Sequence, residues 1–364
     1  MSYSDFVNKE LILFSVADNQ RSIPSVVDGL KPSQRKVLFA CFKRKLKKEI
    51  KVAQLAGYVS EHAAYHHGEM SLTGTIVGMA QEWVGANQVA LLRPDGNFGD
   101  RHGTTAASPR YVFTRASEKA KELFRADDDA VLNLLEDEGQ VIEPDFFVPI
   151  LPMLLVNGVA GIATGLSTNV YTHGVVAVAE RCLLLAERGL DAALPPLHPS
   201  FPGFTGATEV VDDGAVVCTA AVRVDGKSLH VTDLPPGMAT YAVIERLQAR
   251  DDVREVLNRS LDDAVDALLS STCAGDADNA SRLVAGSPAR RRRGRLTRPT
   301  ALGSSRGAST FETPRVAVLG SVRGAVATTS WSRRPGCVFL TRVRTTRRAG
   351  SGSRLDAPAS RKFR

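Results

Sequence analysis

Lysine is missing from this chain between Lys227 and Lys362, while arginine becomes abundant over the same stretch. Acids thin out as well: from residue 288 onward only Glu312 and Asp356 stand beside 19 of the 46 basic side chains. Ser, Gly, Ala, Arg and Thr dominate there, a composition that cannot bury enough apolar surface to offset chain entropy, so the end of the chain is expected to be mostly disordered. Cysteine is scarce too. Five thiols at positions 41, 182, 218, 273 and 337, an odd number with no CxxC pair, exclude a disulfide framework and a zinc cluster and fit a reducing compartment. No run of about 18 apolar residues occurs. The first twenty residues lack a basic-then-apolar leader, and a soluble intracellular protein is expected.

What is present is unevenly charged. The formal net charge of +7 conceals a segment from 288 to 364 carrying +17 and a remainder summing to −10. Residues 1–51 reverse the sign again, with eleven Lys and Arg against five Asp and Glu. Two basic regions of different character therefore need separate explanations.

Apolar residues at helical spacing predict helices over 4–19, 33–48, 51–62, 70–84 and 174–187, with a further return to helix over 116–136. Pro24, Gly29 and Pro32 punctuate a loop between the first two. The stretch VALL at 89–92, the turn RPDGNFGD and the run RYVFTR predict a β-hairpin or wing after the helices, which together spell a winged helix-turn-helix. Residues 146–168 form an apolar segment broken by prolines and by VNGVAGIATG. From 205 to 234 the alternation has period two, with turns at Asp213-Gly214 and Asp225-Gly226, which predicts a small antiparallel sheet in a second domain. Beyond about residue 255 the periodicity fades. The fold class expected is α/β multidomain (α+β): a winged-helix domain over 1–120, a tower-like α/β domain over 121–255 and an Arg-rich tail over 256–364.

Arg110 and Tyr111 stand together in SPRYVFT. A tyrosine can form a covalent ester with phosphorus if a cation stabilises the charge developing on the phosphoryl oxygens. The same dipeptide also fits a ring packed on a wing beside a solvated guanidinium. His66 and His67 in AYHHGE precede a helix, where donors can hold a phosphate against the helix N-terminus. Adjacent residues do not share a helix face, which argues against a shared metal. Arg21, Lys31, Arg35 and Lys36 surround the helix-turn-helix candidate, where they could neutralise phosphate or form a solvated face. The acidic runs Asp127, Asp128, Asp129 and Glu136, Asp137, Glu138 read as caps and solvated loops, and DGKS at 225–228 lacks the leading glycine of a P-loop and reads as a hairpin turn. No metal ligand set is assigned.

Five segments, DNQRSIPSVVDGLKPSQRKVLFACFK, KVAQLAGYVSEHAAYHHGEMSL, SPRYVFT, IEPDFFVPILPMLLVNGVAGIATG and LHPSFPGFTG, together resemble the DNA breakage-reunion core of eukaryotic-type (type IIA) DNA topoisomerase II, including versions carried by large DNA viruses. The resemblance runs from residue 1 to about 250. It implies that Tyr111 attacks a DNA phosphodiester and is left joined to a 5′ phosphate, with Arg110 as its transition-state partner. It further implies that Arg21, Lys31, Arg35 and His67 hold the DNA backbone and that Ile162 wedges between base pairs. Double-stranded DNA, a homodimer, a nuclear setting and an ATP-hydrolysing isomerase activity follow from the same likeness. Mg²⁺ and ATP are expected to bind ATPase and metal-binding parts outside this chain, which leaves the isolated chain incomplete. The alternative is a non-catalytic DNA-binding remnant that keeps the winged helix and basic tail. Three departures stand out: the loop before Tyr111 is about two residues shorter than in the family, Ala160 replaces a common acidic residue, and the coiled coil that closes the dimer is not recognisable after about 255.

Overall fold

The computed structural model describes residues 2–46, 48–189, 193–210, 216–225, 228–251, 253–261, 264–271 and 344–346. The chain opens with α1 (Tyr3–Phe6), a π turn (Val7–Leu11) and α2 (Ile12–Ser22) in unbroken succession. Its apolar residues are spaced as a helix requires, yet not one is buried. Leu13 and Phe14 in particular face solvent, so the stripe exists but meets no partner among the described residues.

The first core gathers around α3 (Pro32–Arg44), α4 (Val52–His62) and α5 (Glu69–Ala80). Pro32 opens α3 at a position where its missing N–H costs nothing, and the Lys31 N–H is satisfied by Gln34 Oε1 at 2.9 Å. Val37, Leu38 and Cys41 of α3, Val52, Leu55 and Val59 of α4, and Leu72, Ile76 and Met79 of α5 form one buried cluster. Burial pushes the Cys41 thiol up to about 12, so it is an inert packing group. A three-stranded antiparallel sheet covers this bundle, β1 (Ile50–Lys51) and β2 (Leu92–Asp95) flanking β3 (Phe113–Ala116). Its register pairs Arg93 with Arg115 and Asp95 with Phe113.

The helix expected over 116–136 is shorter than its pattern suggested. Only α6 (Glu118–Leu123) forms, capped by Ser117, followed by a 3₁₀ turn (Ala126–Val131) and by a hairpin of β4 (Leu134–Asp137) and β5 (Gln140–Pro144). The acidic runs sit in that turn and at the hairpin tip, where Glu138 adopts φ 50° and Gly139 φ 80°. The apolar stretch 146–168 resolves into a short α7 (Met153–Val156) and the start of a second hairpin, β6 (Val159–Ala163) with β7 (Leu166–Val170), and α8 (Val175–Arg188) follows.

The second core belongs to a sheet. After β8 (Ala207–Val210) paired with β9 (Val216–Thr219) come β10 (Ala221–Asp225), β11 (Ser228–Asp233), α9 (Thr240–Gln248), β12 (Val253–Asn258) and β13 (Ala267–Ser271). Strand order is β12-β13-β11-β10, with the three residues of β14 (Arg344–Thr346) parallel to β10. Leu229, Val231, Val243, Leu247 and Leu269 fill the space between sheet and helix. The tail boundary expected near 255 is therefore too early. The strands β12 and β13 pair over five positions, so sheet structure continues to Ser271. Their partner β11 supplies the order that local periodicity alone could not reveal. Apart from β14, the expectation of a disordered tail falls on residues outside those described.

Backbone geometry tests the packing at Gly29. It holds φ +69°, and an added Cβ would lie 2.5 Å from the Leu154 backbone N. Gly29→Ala is expected to destabilise the chain by about 1–3 kcal/mol, read as a fall in thermal midpoint.

Candidate functional site

The segment Ser108–Tyr111 is a β-turn closed by the Tyr111 N–H donating to Ser108 O at 2.9 Å. Pro109 takes the turn position its fixed φ favours. The turn is seated on the start of α4, whose first free amides need acceptors: Val52 N–H donates to Val112 O and Ala53 N–H to Pro109 O, both at 3.0 Å. Val112 then drops into the core while Tyr111 stays 65% exposed. The Arg110 guanidinium lies 4.8 Å from the Tyr111 ring centroid. A phenol is thus held at the surface by the buried Val112 on one side and the Pro109 turn on the other, with one cation against its face.

The loop leading into this turn is pinned as well. Asp100 Oδ1 accepts from the backbone N–H groups of His102, Gly103 and Thr104 at 2.8, 3.0 and 3.0 Å. Desolvation pushes the Asp100 carboxyl up, but the Thr104 and His102 hydrogen bonds and the His102 charge outweigh it and hold the group below its ordinary range. Arg101 reaches the second core, where its buried guanidinium meets Asp233 at 2.6 Å and the Leu234 carbonyl at 3.2 Å. His102 Nδ1 lies 3.0 Å from Thr240 Oγ1 at the start of α9. Ala107 N–H closes the loop on Asn97 O.

A second cluster surrounds Arg21 and Ile162. Arg21 is exposed near the end of α2 and pairs with Asp18 at 3.4 Å. Asp18 also accepts from the Thr164 hydroxyl and backbone N–H, each at 2.8 Å, and those bonds, the Thr164 hydroxyl foremost, hold its carboxyl low. The hairpin β6-β7 is thereby tied to α2. Gly161 permits the approach, since a Cβ there would lie 2.5 Å from Ser22 O. Ile162, beside it, is 85% exposed. Ile162 is thus an apolar side chain carried into solvent on a hairpin that Asp18 and Thr164 brace against α2.

Arg35 departs from expectation. It is 6% exposed, and its Nε donates to Asp28 Oδ2 at 2.7 Å while its terminal nitrogen reaches Asp28 Oδ1 and Leu30 O at 3.2 Å each. Asp28 is fully buried and also accepts from the Leu30 and Phe147 N–H groups. The guanidinium faces inward because it neutralises a carboxylate that the loop 24–31 buries, so Arg35 is a brace rather than an open phosphate ligand. Lys36 is likewise committed, to the Glu143 carboxylate at 2.9 Å and the Ala63 carbonyl at 2.6 Å. Lys31 sits half-buried immediately before α3. His67 is exposed ahead of α5, its ring 5.4 Å from that of Tyr65, and His66 pairs with Asp137 at 2.9 Å. The structure thus joins Arg110 to Tyr111, Arg21 to the Ile162 hairpin and Arg35 to Asp28. Among the described residues it records no contact of Tyr111 with Arg21, Lys31, Arg35 or His67. Nor, among those residues, does any group of three His, Cys, Asp or Glu side chains converge to hold a metal.

The family model for the A-type chain of DNA gyrase/topoisomerase IV matches residues 21–268. The chain belongs to that family. Within it, the chain is 46% identical over 255 residues to "Probable DNA topoisomerase 2" of Dictyostelium discoideum, an alignment covering 68% of this chain and 17% of that protein. It is 48% identical over 239 residues to "DNA topoisomerase 2-alpha" of Mus musculus, covering 65% of this chain and 15% of that one. The topoisomerase II DNA-binding, cleavage and re-ligation domain of Plasmodium falciparum has a similar fold, with TM-score 0.70, 38% identity and coverage of 74% of this chain and 38% of that one. The chain therefore spans less than a fifth of the length of these two topoisomerase 2 relatives.

Sequence reading singled out the exposed Tyr111, Arg110, Arg21, His67 and Ile162 together with the buried Arg35, and gave no role to the acids that position them. Asp18 and Asp28 lie in the first segment of the resemblance and Asp100 ends the RPDGNFGD turn, yet none of them, nor Asp233, stood out as a brace, because a motif does not show which carboxylate is buried. Two outcomes follow. Arg35→Ala, which strands the Asp28 carboxylate, is expected to cost about 3–5 kcal/mol of stability, whereas Arg21→Ala stays within about 0.5 kcal/mol, both measured by urea unfolding. Asp100 titrates below its unfolded value, so its contribution is complete above the ordinary aspartate value of 3.8 and fades as pH falls through its lower folded value. Exchange of the Gly103 and Thr104 amides is expected to lose protection in that acid window in the wild type. An Asp100→Asn variant is expected to lack the transition.

Proposed function

We propose that this chain is the breakage-reunion portion of a type II DNA topoisomerase, in which α3, α4, α5 and the three-stranded sheet make a winged-helix unit and the β10–β13 sheet belongs to a tower-like unit. The observation that carries the proposal is the solvent-facing Tyr111, fixed by a Pro-containing turn and stacked with Arg110, within a chain of this family. The phenolic oxygen of Tyr111 attacks a backbone phosphorus of duplex DNA. A tyrosyl O–P bond forms, the bond from phosphorus to the 3′ oxygen of the preceding nucleotide breaks, and that oxygen leaves as a 3′-hydroxyl after taking up a proton. The tyrosine proton passes to water. Reversal of the same step rejoins the strand, because the ester conserves the energy of the phosphodiester.

Arg110 supplies positive charge where the phosphoryl oxygens gain electrons. Arg21, Lys31 and His67 hold backbone phosphates on either side of the cut. Ile162 enters a base step, trading about a few kcal/mol of unstacking for a bent duplex that meets more protein. On this reading Mg²⁺ and ATP, which the resemblance to topoisomerase II implies for the complete enzyme, are held by further parts of that enzyme; the stretch matched here is 17% of the length of one such relative. No step above is routed through them. The working form is a homodimer that places two tyrosines on opposite strands, and its setting is the nucleus.

The buried Arg35 favours a second reading, a DNA-binding remnant without cleavage, because one expected phosphate ligand is committed elsewhere. Denaturant trapping separates the two. The full chain is incubated with supercoiled plasmid, Mg²⁺ and the ATPase and metal-binding segments of a topoisomerase 2 relative, and a 5′-linked protein–DNA adduct is expected. Tyr111→Phe is expected to abolish the adduct while leaving DNA affinity unchanged, and Arg110→Gln to slow its formation by about 10²–10³-fold. Duplex binding with no adduct in the wild type would leave the remnant as the better description.

A further inference from the structure

We propose that the cavity between α3 and the β4-β5 hairpin is a binding site for a small organic anion with a flat apolar body. The cavity encloses about 440 Å³, within the range of small-molecule sites and too large for a single side chain. Phe39, Phe42, Leu132, Val141 and Phe147 line it, together with Leu134. Its aromatic wall is rigid. Phe42 meets Phe147 edge-on at 6.0 Å between centroids, and Phe124 braces both at 6.3 and 5.5 Å. Leu134 and Val141 are about half exposed although they face a concavity, so an apolar guest would remove surface that the free protein leaves in water.

Charge selects the guest. Lys43 and Lys45 both line the cavity and both reach solvent. Residues two apart on a helix point to different faces. The left-handed turn at Lys45, with φ 49°, ends α3 and brings the second lysine round to the same opening as the first. The Lys43 ammonium lies 5.3 Å from the Phe39 centroid, which places the charge beside an aromatic wall. Neither ammonium has an ion-pair partner among the described residues. Among the lining side chains two ammonium groups face one carboxylate, Asp129, while Asp128 and Arg125 border the adjoining recess behind Phe42 and Phe147, Arg125 pairing with Asp127. A carboxylate, sulfonate or phosphate carried on an aromatic or short aliphatic body meets all these features. None of Arg21, Lys31, Arg110, Tyr111 or Ile162 lines the cavity, so it is a different place on the surface from the proposed cleavage groups.

The test uses two probes of the same shape and different charge, 2-naphthoate and 2-naphthamide, titrated into the full chain by calorimetry. Naphthoate is expected to bind at least about fivefold more tightly, with the gap narrowing at high salt. The double variant Lys43→Gln, Lys45→Gln is expected to lower naphthoate to the level of naphthamide while leaving naphthamide unchanged. Val141→Trp, which fills the space, is expected to abolish both with an unaltered circular dichroism spectrum. Equal affinity for the two probes, naphthoate binding that survives either variant, or no binding of either probe at millimolar concentration would overturn the proposal.

Discussion

A buried carboxylate organises the first core. Asp28 is withdrawn entirely from water, a placement that is unfavourable unless every oxygen lone pair finds a donor, and here four donors converge on its two oxygens. They come from the loop itself, from the adjoining α3 and from the segment after β5, so one side chain ties two neighbouring stretches to a third that lies 119 positions away. Gly29 completes the joint by letting the loop press against the Leu154 backbone. The position of Lys31, the direction of α3 and the docking of Phe147 all depend on this junction. Removing either charge would leave the other stranded in a dry interior.

Around that junction the molecule separates rigid support from exposed chemistry. The groups of the proposed cleavage site are surface groups, each held by a buried or bonded neighbour: Tyr111 by Val112 and the start of α4, Arg21 and Ile162 by Asp18 and Thr164, Lys31 by the loop that Asp28 anchors. Pre-positioning of this kind lowers the entropy lost when a large polyanion is bound. The cost is carried by the acids. Asp18, Asp28, Asp100 and Asp233 serve the scaffold, which leaves the neighbouring cations to face outward wherever they are not themselves consumed, as Arg35 and Arg101 are.

How much of this was legible in the amino-acid sequence follows from the physics of each element. The bundle helices α3, α4 and α5 bury one face each, and that produces a periodicity visible without a structure. Leu92 and Phe113–Arg115 fall in the strands expected, whereas Arg93, Pro94 and Asp95 read as turn and are strand, so the pairing of β2 with β3 was partly visible. The β4-β5 hairpin was not, because Leu134, Leu135 and Glu136 follow a helix with favourable helical composition and only the Glu138-Gly139 turn betrays the change. β12 was hidden for a different reason: it is largely exposed and its register with β13 is irregular, so pairing rather than local alternation defines it, while β13 alternates buried and half-buried residues but is only five residues long. At the site, the family motif pointed to Tyr111, Arg110 and Ile162, but a motif cannot say which way a guanidinium turns. Arg35 turns inward because the carboxylate seven positions earlier is buried, and that burial involves Phe147, 119 positions on, which no short window contains.

The clamp of Arg101 on Asp233 and of His102 on Thr240 has a mechanical consequence. One end of the 97–107 loop is fastened to the tyrosine turn and its middle to the sheet of the second core, so the two halves of the protein share a short, stiff strut. A rotation of the distal sheet by even a few degrees cannot be absorbed by slack in that strut. It must either shift the turn that carries Tyr111 or break a buried charge pair, which couples the orientation of the second core to the position of a single phenol.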